Sequence, residues 1–233
     1  MASCQTELLL LPGLDGTGRL FKRLERALAG RVKTRVMSYP ANPACGYPEL
    51  IALVEGDLGA EPIVVLGESF SGPIAIEIAL RHPEQVKGLV LSATFAQSPW
   101  PSWLVKAAAG VDVLRIPAAL RNRFLRGSRV DPELDAEIAD VLASMPAGVR
   151  ASRLRQVAAI DVRDDLSSQT CPILALHGTR DFVVPRFPLK AALRGKANVR
   201  LSEFECGHLL LQTFAGQAAT DIAAFVQNTE RNL

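Results

Sequence analysis

Ile63-Val64-Val65-Leu66-Gly67-Glu68-Ser69-Phe70-Ser71-Gly72-Pro73-Ile74-Ala75 is the stretch on which the fold turns. Four apolar residues in a row, ended by a turn, read as a strand buried on both faces, the habit of parallel sheets covered by helices. A small-residue turn and a helical pattern follow. A sharp strand–turn–helix passage of this kind puts Ser69 at its tip with the hydroxyl exposed, beside the positive end of the helix dipole. The residues flanking such a tip must be small so that strand and helix can approach. The pattern is G-x-S-x-S-G rather than G-x-S-x-G. Ser71 holds the fifth position, is itself small, and is followed by Gly72. The competing reading is an ordinary strand-to-helix loop without chemistry.

Outward from this stretch, β-rich runs alternate with helical patterns, which argues for a parallel sheet wrapped by helices. Strands are predicted near residues 7–11, 32–37, 62–66, 86–92, 173–177 and 199–204, and helices near 20–28, 48–58, 71–81, 188–194 and 216–227. Residues 95–160 break the alternation with helical segments near 103–109, 117–125, 132–144 and 147–159, and no good strand. Asp131-Pro132-Glu133 is a strong helix start, with an N-cap acceptor and Pro at the first helical position. The expected organisation is therefore a core of residues 1–94 and 161–233 with a helical insertion at 95–160. An insertion at the carboxyl end of a parallel strand lies where α/β sheets bind ligands.

Composition narrows the class. With 233 residues, the chain is one large domain or a domain with one insertion. Hydrophobic residues at 48% and charged residues at 21% exclude bulk disorder. A net charge of +2 gives no electrostatic case for a nucleic-acid partner. No apolar run approaches the roughly 18 residues needed to span a bilayer, and residues 1–7 carry no cationic start of a signal peptide, so a cytoplasmic location is expected. Cys4, Cys45, Cys171 and Cys206 are far apart, with no CxxC pair or His cluster. Neither a metal site nor a cofactor is expected.

A second strand ends in a glycine-rich turn, Leu8-Leu9-Leu10-Leu11-Pro12-Gly13-Leu14-Asp15-Gly16-Thr17-Gly18. Such a turn can aim backbone N–H groups at developing negative charge, and the N–H groups of Leu14 and Phe70 are the candidate oxyanion donors. Phosphate binding competes with this reading, although neither G-x-G-x-x-G nor G-x-x-x-x-G-K-[ST] is present. A plain βα turn is the bland alternative. A serine hydroxyl needs a base, and the base an orienting acid. Only three histidines exist. His82 ends the helix after Ser69, where a cation suits the dipole. His177 ends a strand and reads as a hydrogen-bonded structural histidine. His208 follows the last strand, and Gly207 before it permits a loop that turns the ring back toward the sheet edge. Asp181 follows the 173–177 strand, whereas Asp161, Asp164 and Asp165 read as caps or solvated charges. The order Ser69, Asp181, His208 is that of one of three convergent triad lineages.

On these pieces the chain resembles the α/β-hydrolase fold family over essentially its whole length. The matching segments are Pro12-Gly13-Leu14-Asp15-Gly16, Gly67-Glu68-Ser69-Phe70-Ser71-Gly72, His177-Gly178-Thr179-Arg180-Asp181-Phe182-Val183-Val184-Pro185 and Gly207-His208. The family commonly has His-Gly in the first loop, where this chain has Pro12-Gly13. The first strand here resembles the family's third, so a mostly parallel sheet lacking the usual leading strands is expected. The resemblance implies Ser69 as nucleophile, His208 as base, Asp181 as acid, and the insertion as a cap.

The expected activity is cleavage of a small-molecule carboxylic ester through an acyl-enzyme. The alternatives are a thioesterase or esterase on carrier-protein- or coenzyme-A-bound acyl chains, an acyltransferase or C–C lyase using the same triad, and a non-catalytic binding protein that keeps the fold. Phe95, Trp100, Trp103, Leu104, Leu114, Ile116, Phe124 and Met145 lie in the insertion, and Trp100, Trp103, Phe124 and Phe182 are candidate substrate contacts. Packing of the cap onto the core is the bland role for each. Arg115, Arg121, Arg123, Arg126 and Arg129 come without an intervening acid. Of these, Arg121, Arg123 and Arg126 are candidates to dock an acidic carrier or coenzyme A phosphates, against the simpler reading of a solvated helix face.

Overall fold

The computed structural model describes residues 6–111, 115–127 and 130–231; Cys4, Leu114 and Arg129 lie outside them. Six strands, β1 (Glu7–Leu11), β2 (Thr34–Val36), β3 (Ile63–Glu68), β4 (Val86–Ser92), β5 (Ile173–Gly178) and β6 (Val199–Phe204), form one sheet. Their order is β2-β1-β3-β4-β5-β6, and all five pairings are parallel. Strand order reverses between β1 and β3, and an open α/β sheet leaves its ligand crevice outside the carboxyl ends at that reversal. Leu11 pairs with Gly67 there, so the loop after β1 and the turn after β3 leave the sheet side by side.

Alternation along each strand feeds two cores. Leu9 and Leu11 of β1 face one side, with α2 (Tyr47–Asp57), α3 (Gly72–Arg81), α8 (Arg163–Ser167) and α9 (Arg186–Ala192). Leu8 and Leu10 face the other, with α1 (Lys22–Leu28), α10 (Leu210–Thr213) and α11 (Ala215–Glu230). All four leucines are fully buried, each contributing roughly 1.5–3 kcal/mol by leaving water.

Between β4 and β5 the chain forms α4 (Ser102–Ala108), α5 (Ala118–Arg126), α6 (Pro132–Ser144) and α7 (Ala147–Val157). It leaves and rejoins the core at an antiparallel bridge between Gln97 and Asp161. Asp131 caps α6 by accepting the Leu134 N–H at 3.0 Å. Arg23 of α1 reaches the same carboxylate at 2.5 Å, and Leu134 and Ile138 of α6 pack with Leu209.

Some elements depart from expectation. The strand predicted at 32–37 is only Thr34–Val36, a short edge. The helix predicted from residue 20 opens with a tighter turn over Arg19–Phe21 before α1. Helix α9 begins two residues earlier than predicted, because Pro188 sits in its first turn, where no N–H is required. Neither α8 nor α10 was expected from the periodicity, as each is too short to show one.

Candidate active site

Strand β3 is buried along its whole length and delivers Ser69 at its end. Ser69 has φ of 50°, a left-handed conformation that costs energy in a residue with a Cβ and is held by its surroundings. A Cβ on Gly67 would lie 2.6 Å from the Ser71 carbonyl and 2.8 Å from the Ala75 Cβ, so only glycine lets strand and helix approach. Gly72 is equally constrained by the side chain of Thr94. The Thr94 hydroxyl also donates to the Ser69 carbonyl.

Three side chains separated in sequence meet at this tip. His208 Nε2 lies 2.8 Å from Ser69 Oγ, and His208 Nδ1 lies 2.8 Å from Asp181 Oδ2. The second carboxylate oxygen, Oδ1, accepts the N–H groups of Val183 and Val184, each at 2.9 Å. With both oxygens bonded, the carboxylate has one orientation. Burial, the largest influence on His208, pulls its pKa down. Asp181, by charge and hydrogen bond, and the charge of Glu68 outweigh it and set the imidazole above its ordinary value.

The loop after β1 passes directly against the serine. A Cβ built on Gly13 would stand 3.9 Å from Ser69 Cβ. The loop closes as a turn, with the Gly16 N–H donating to the Gly13 carbonyl at 3.0 Å, and Leu14 and Asp15 occupy its centre. Gly16 has φ of 72°, which favours glycine. Leu14 and Phe70 both line the cavity above Ser69. The Leu14 N–H donates to no protein group among the described residues.

The cavity measures about 580 Å³ and lies between the sheet's carboxyl edge and the helices that follow β4. Its walls are apolar, with Leu104, Val105, Ile138, Val141 and Leu154 from α4, α6 and α7, and Met145 just after α6. Its ionisable lining groups are Asp15, Glu68 and His208. Glu68 is buried and accepts Gln212 Nε2 at 2.9 Å. Burial is the main cause of its pKa rising to about 7, against the opposing hydrogen bond from Gln212 and the charge of His208.

Other candidates fall elsewhere. Trp100 lines the cavity and donates its indole N–H to the Val183 carbonyl at 3.0 Å. Trp103 does not line it; this residue is 68% exposed on the outer face of α4. Phe124 and Phe182 are also outside, packed edge to face at 6.3 Å and largely exposed. Phe95, Leu104 and Met145 reach the cavity, and Ile116 does not. Arg126 is no free cation: it is buried and held by both oxygens of Asp135, at 2.5 and 2.9 Å. Arg123 is exposed and Arg121 half-buried.

His177 departs from its expected satisfied state. It is buried, burial lowers its pKa to about 4, and its Nε2 has no hydrogen-bond partner among the described residues. His82 caps α3 as expected, 3.1 Å from Glu55. Gly207 is needed for close approach rather than for loop freedom, since a Cβ there would lie 2.8 Å from both the Phe124 carbonyl and the Gly127 nitrogen. Among the described residues no cluster of three His, Cys, Asp or Glu side chains could hold a metal ion. Among them, too, no helix is long and apolar enough to cross a membrane.

Comparison with known proteins places this architecture. The Hydrolase_4 family, described as serine aminopeptidase, S33, matches residues 48–206. The chain belongs to this family of α/β-hydrolases. The hydrolase is 30% identical over 230 residues to a pimeloyl-[acyl-carrier protein] methyl ester esterase of Aromatoleum aromaticum, covering 87% of this chain and 90% of the relative. A protein of the same description from Aeromonas hydrophila is 28% identical over 200 residues, covering 77% and 79%. Among solved structures, the enol-lactonase of Burkholderia xenovorans LB400 superposes with a TM-score of 0.83 at 18% identity, covering 96% of this chain and 92% of that one. An esterase from Exiguobacterium antarcticum gives 0.81 at 18% identity, covering 97% and 93%. This hydrolase is an enzyme of the ester-cleaving class.

Sequence reasoning missed Thr94, Gln212, Tyr39, Tyr47 and Arg153, all of which touch the elbow or its loop. Tyr47 stacks on Phe70 at 4.8 Å and donates its hydroxyl to the Phe70 carbonyl at 3.1 Å. No motif marks these residues, because their effect exists only through tertiary contact.

Proposed function

We propose that this hydrolase is a serine esterase that removes a small alcohol from the ester of a long, uncharged acyl chain, with Ser69, His208 and Asp181 as its catalytic residues. The 2.8 Å contacts joining Ser69, His208 and Asp181 at the floor of an apolar cavity carry this reading. His208 takes the Ser69 proton as Oγ bonds to the acyl carbon. The resulting oxyanion is met by the N–H groups of Leu14 and Phe70, each such donor being worth ~3–4 kcal/mol in the transition state. His208 returns the proton to the departing alkoxide, leaving an acyl-enzyme. Water then attacks, gives its proton to His208, and releases the acid and free Ser69. Asp181 holds the imidazole tautomer and stabilises the imidazolium.

The acyl chain is presented on a carrier protein. The named relatives act on a carrier-linked methyl ester, and the exposed Arg123 with half-buried Arg121 offers a cationic edge on α5 to an acidic carrier. The reading is tested with p-nitrophenyl esters of increasing chain length and with acyl-carrier methyl esters. Turnover is expected to be lost in Ser69→Ala; full activity in that variant overturns the assignment. The double variant Arg121→Glu/Arg123→Glu is expected to raise KM for the carrier-bound ester and leave free esters unchanged. A KM for the carrier-bound ester unchanged from wild type removes the carrier.

A further inference from the structure

Helix α7 of the cap buries one arginine against the loop expected to bind the oxyanion. Arg153 is 1% exposed, among the largest fully buried side chains of the molecule. Its Nη1 donates to the Leu14 carbonyl at 2.7 Å and its Nη2 to the Pro40 carbonyl at 3.1 Å. The guanidinium lies 5.7 Å from the Phe70 ring centre and 5.8 Å from that of Tyr39. Phe70 therefore meets the guanidinium and also stacks on Tyr47. No carboxylate among the described residues comes within ion-pair distance of Arg153.

A buried cation without an ion-pair partner is costly, and that cost is usually tolerated for a reason. Here two of the four residues the cation meets, Leu14 and Phe70, are those whose N–H groups are expected to meet the oxyanion. Leu14 is central in the Gly13–Gly16 turn. Rotation of its carbonyl would break a charge-assisted bond and strand the guanidinium. Gly16 fits the same purpose, since a Cβ there would collide with the Arg153 guanidinium. A planar, forked cation can bind two carbonyls and still stack on rings, which an ammonium cannot do.

We propose that Arg153 is a positioning residue for the oxyanion hole, supplied by the cap, so that the cap helps form the catalytic apparatus as well as covering the cavity. This rests on the esterase reading above. Arg153→Met is expected to lower kcat for a short soluble ester by about 100-fold, the scale of a small displacement in a catalytic array, with KM within about twofold. The affinity for a trifluoromethyl ketone, which forms an oxyanion on Ser69, is expected to fall in parallel. Arg153→Lys keeps the charge and much of the bulk but loses the fork, and is expected to show the same pattern more weakly. It carries the comparison if the Met variant does not fold. An unchanged kcat in the folded Lys variant, or a rise in KM alone, overturns the proposal. Ser69→Ala is assayed alongside: its inactivity with unchanged Arg153 variants overturns this proposal alone, whereas its full activity overturns the esterase reading too.

Discussion

The hydroxyl of Ser71 donates to the carbonyl of Pro12 and lies 2.8 Å from the hydroxyl of Tyr39. Because a carbonyl can only accept, the Ser71 proton goes to Pro12 and the Tyr39 proton goes to Ser71. All three groups are buried or nearly so. Ser71 and Pro12 are two places where the sequence departs from the usual pattern, one in the turn after β3 and one in the loop after β1. The two departures touch: Ser71, in the place of the usual glycine, supplies a bond that ties the elbow to the loop.

Removing that bond strands two buried polar groups at once. Ser71→Ala is expected to cost about 1–3 kcal/mol in unfolding free energy. Ser71→Gly, although it restores the usual motif, is expected to be at least as destabilising. Denaturant titration of both variants checks this; a Ser71→Gly protein as stable as wild type would show that the bond carries no weight.

Asp181 uses each carboxylate oxygen differently, one toward two backbone N–H groups and one toward His208. An asparagine cannot serve both, because its amide must meet either the backbone donors or the imidazole N–H. Asp181→Asn is expected to lower kcat by about 10⁴-fold, through the wrong imidazole tautomer, while KM changes little. Steady-state kinetics on a short ester measure both.

The sheet was legible because its strands are short, continuous apolar runs, and the position of Ser69, Asp181 and His208 at carboxyl ends followed from it. What sequence could not give was the side of the cap on which a residue falls. Trp100 and Trp103 are three apart, yet one lines the cavity and the other faces solvent. The arginines of α5 form a run in one dimension only; on the helix Arg123 turns outward while Arg126 turns to Asp135 of α6. Arg153 was invisible for a related reason. It is one of several arginines on α7, and only its contacts with Leu14 and Pro40, more than 110 residues away in the chain, distinguish it.

Helix α5 and the His208 loop meet through stacked glycines. Gly207 lies under the end of α5, Gly178 lies under Gly207, and the Leu209 N–H donates to the Leu125 carbonyl at 2.6 Å. A methyl group at 207 must push α5 and the His208 loop apart. Gly207→Ala is expected to cost about 1–3 kcal/mol, the usual scale for overpacking. It is also expected to lower kcat by moving the imbalance onto His208. A variant with normal stability and normal kcat would show that the contact yields freely.

Glu68 gives the enzyme a pH signature of its own. Its carboxyl titrates near 7 in the folded protein, above the ordinary 4.5, because burial disfavours the anion. A raised carboxyl pKa stabilises the fold below 4.5, and that stability is lost as pH rises through 7. Glu68→Gln has no such loss. Its stability relative to wild type is therefore expected to improve between about pH 4.5 and 7, by about 3 kcal/mol in all. The same change acts on catalysis with a separate sign. In the proposed mechanism His208 must be neutral to accept the Ser69 proton, so activity is expected to rise with pH through the imidazole pKa. The Glu68 anion helps hold that pKa above the ordinary value. Removing it shifts the acid limb of kcat/KM to lower pH. Unfolding measured across pH and a pH–rate profile of the same variant separate the two effects, and a stability difference that stays flat across the range rules out a buried, near-neutral Glu68.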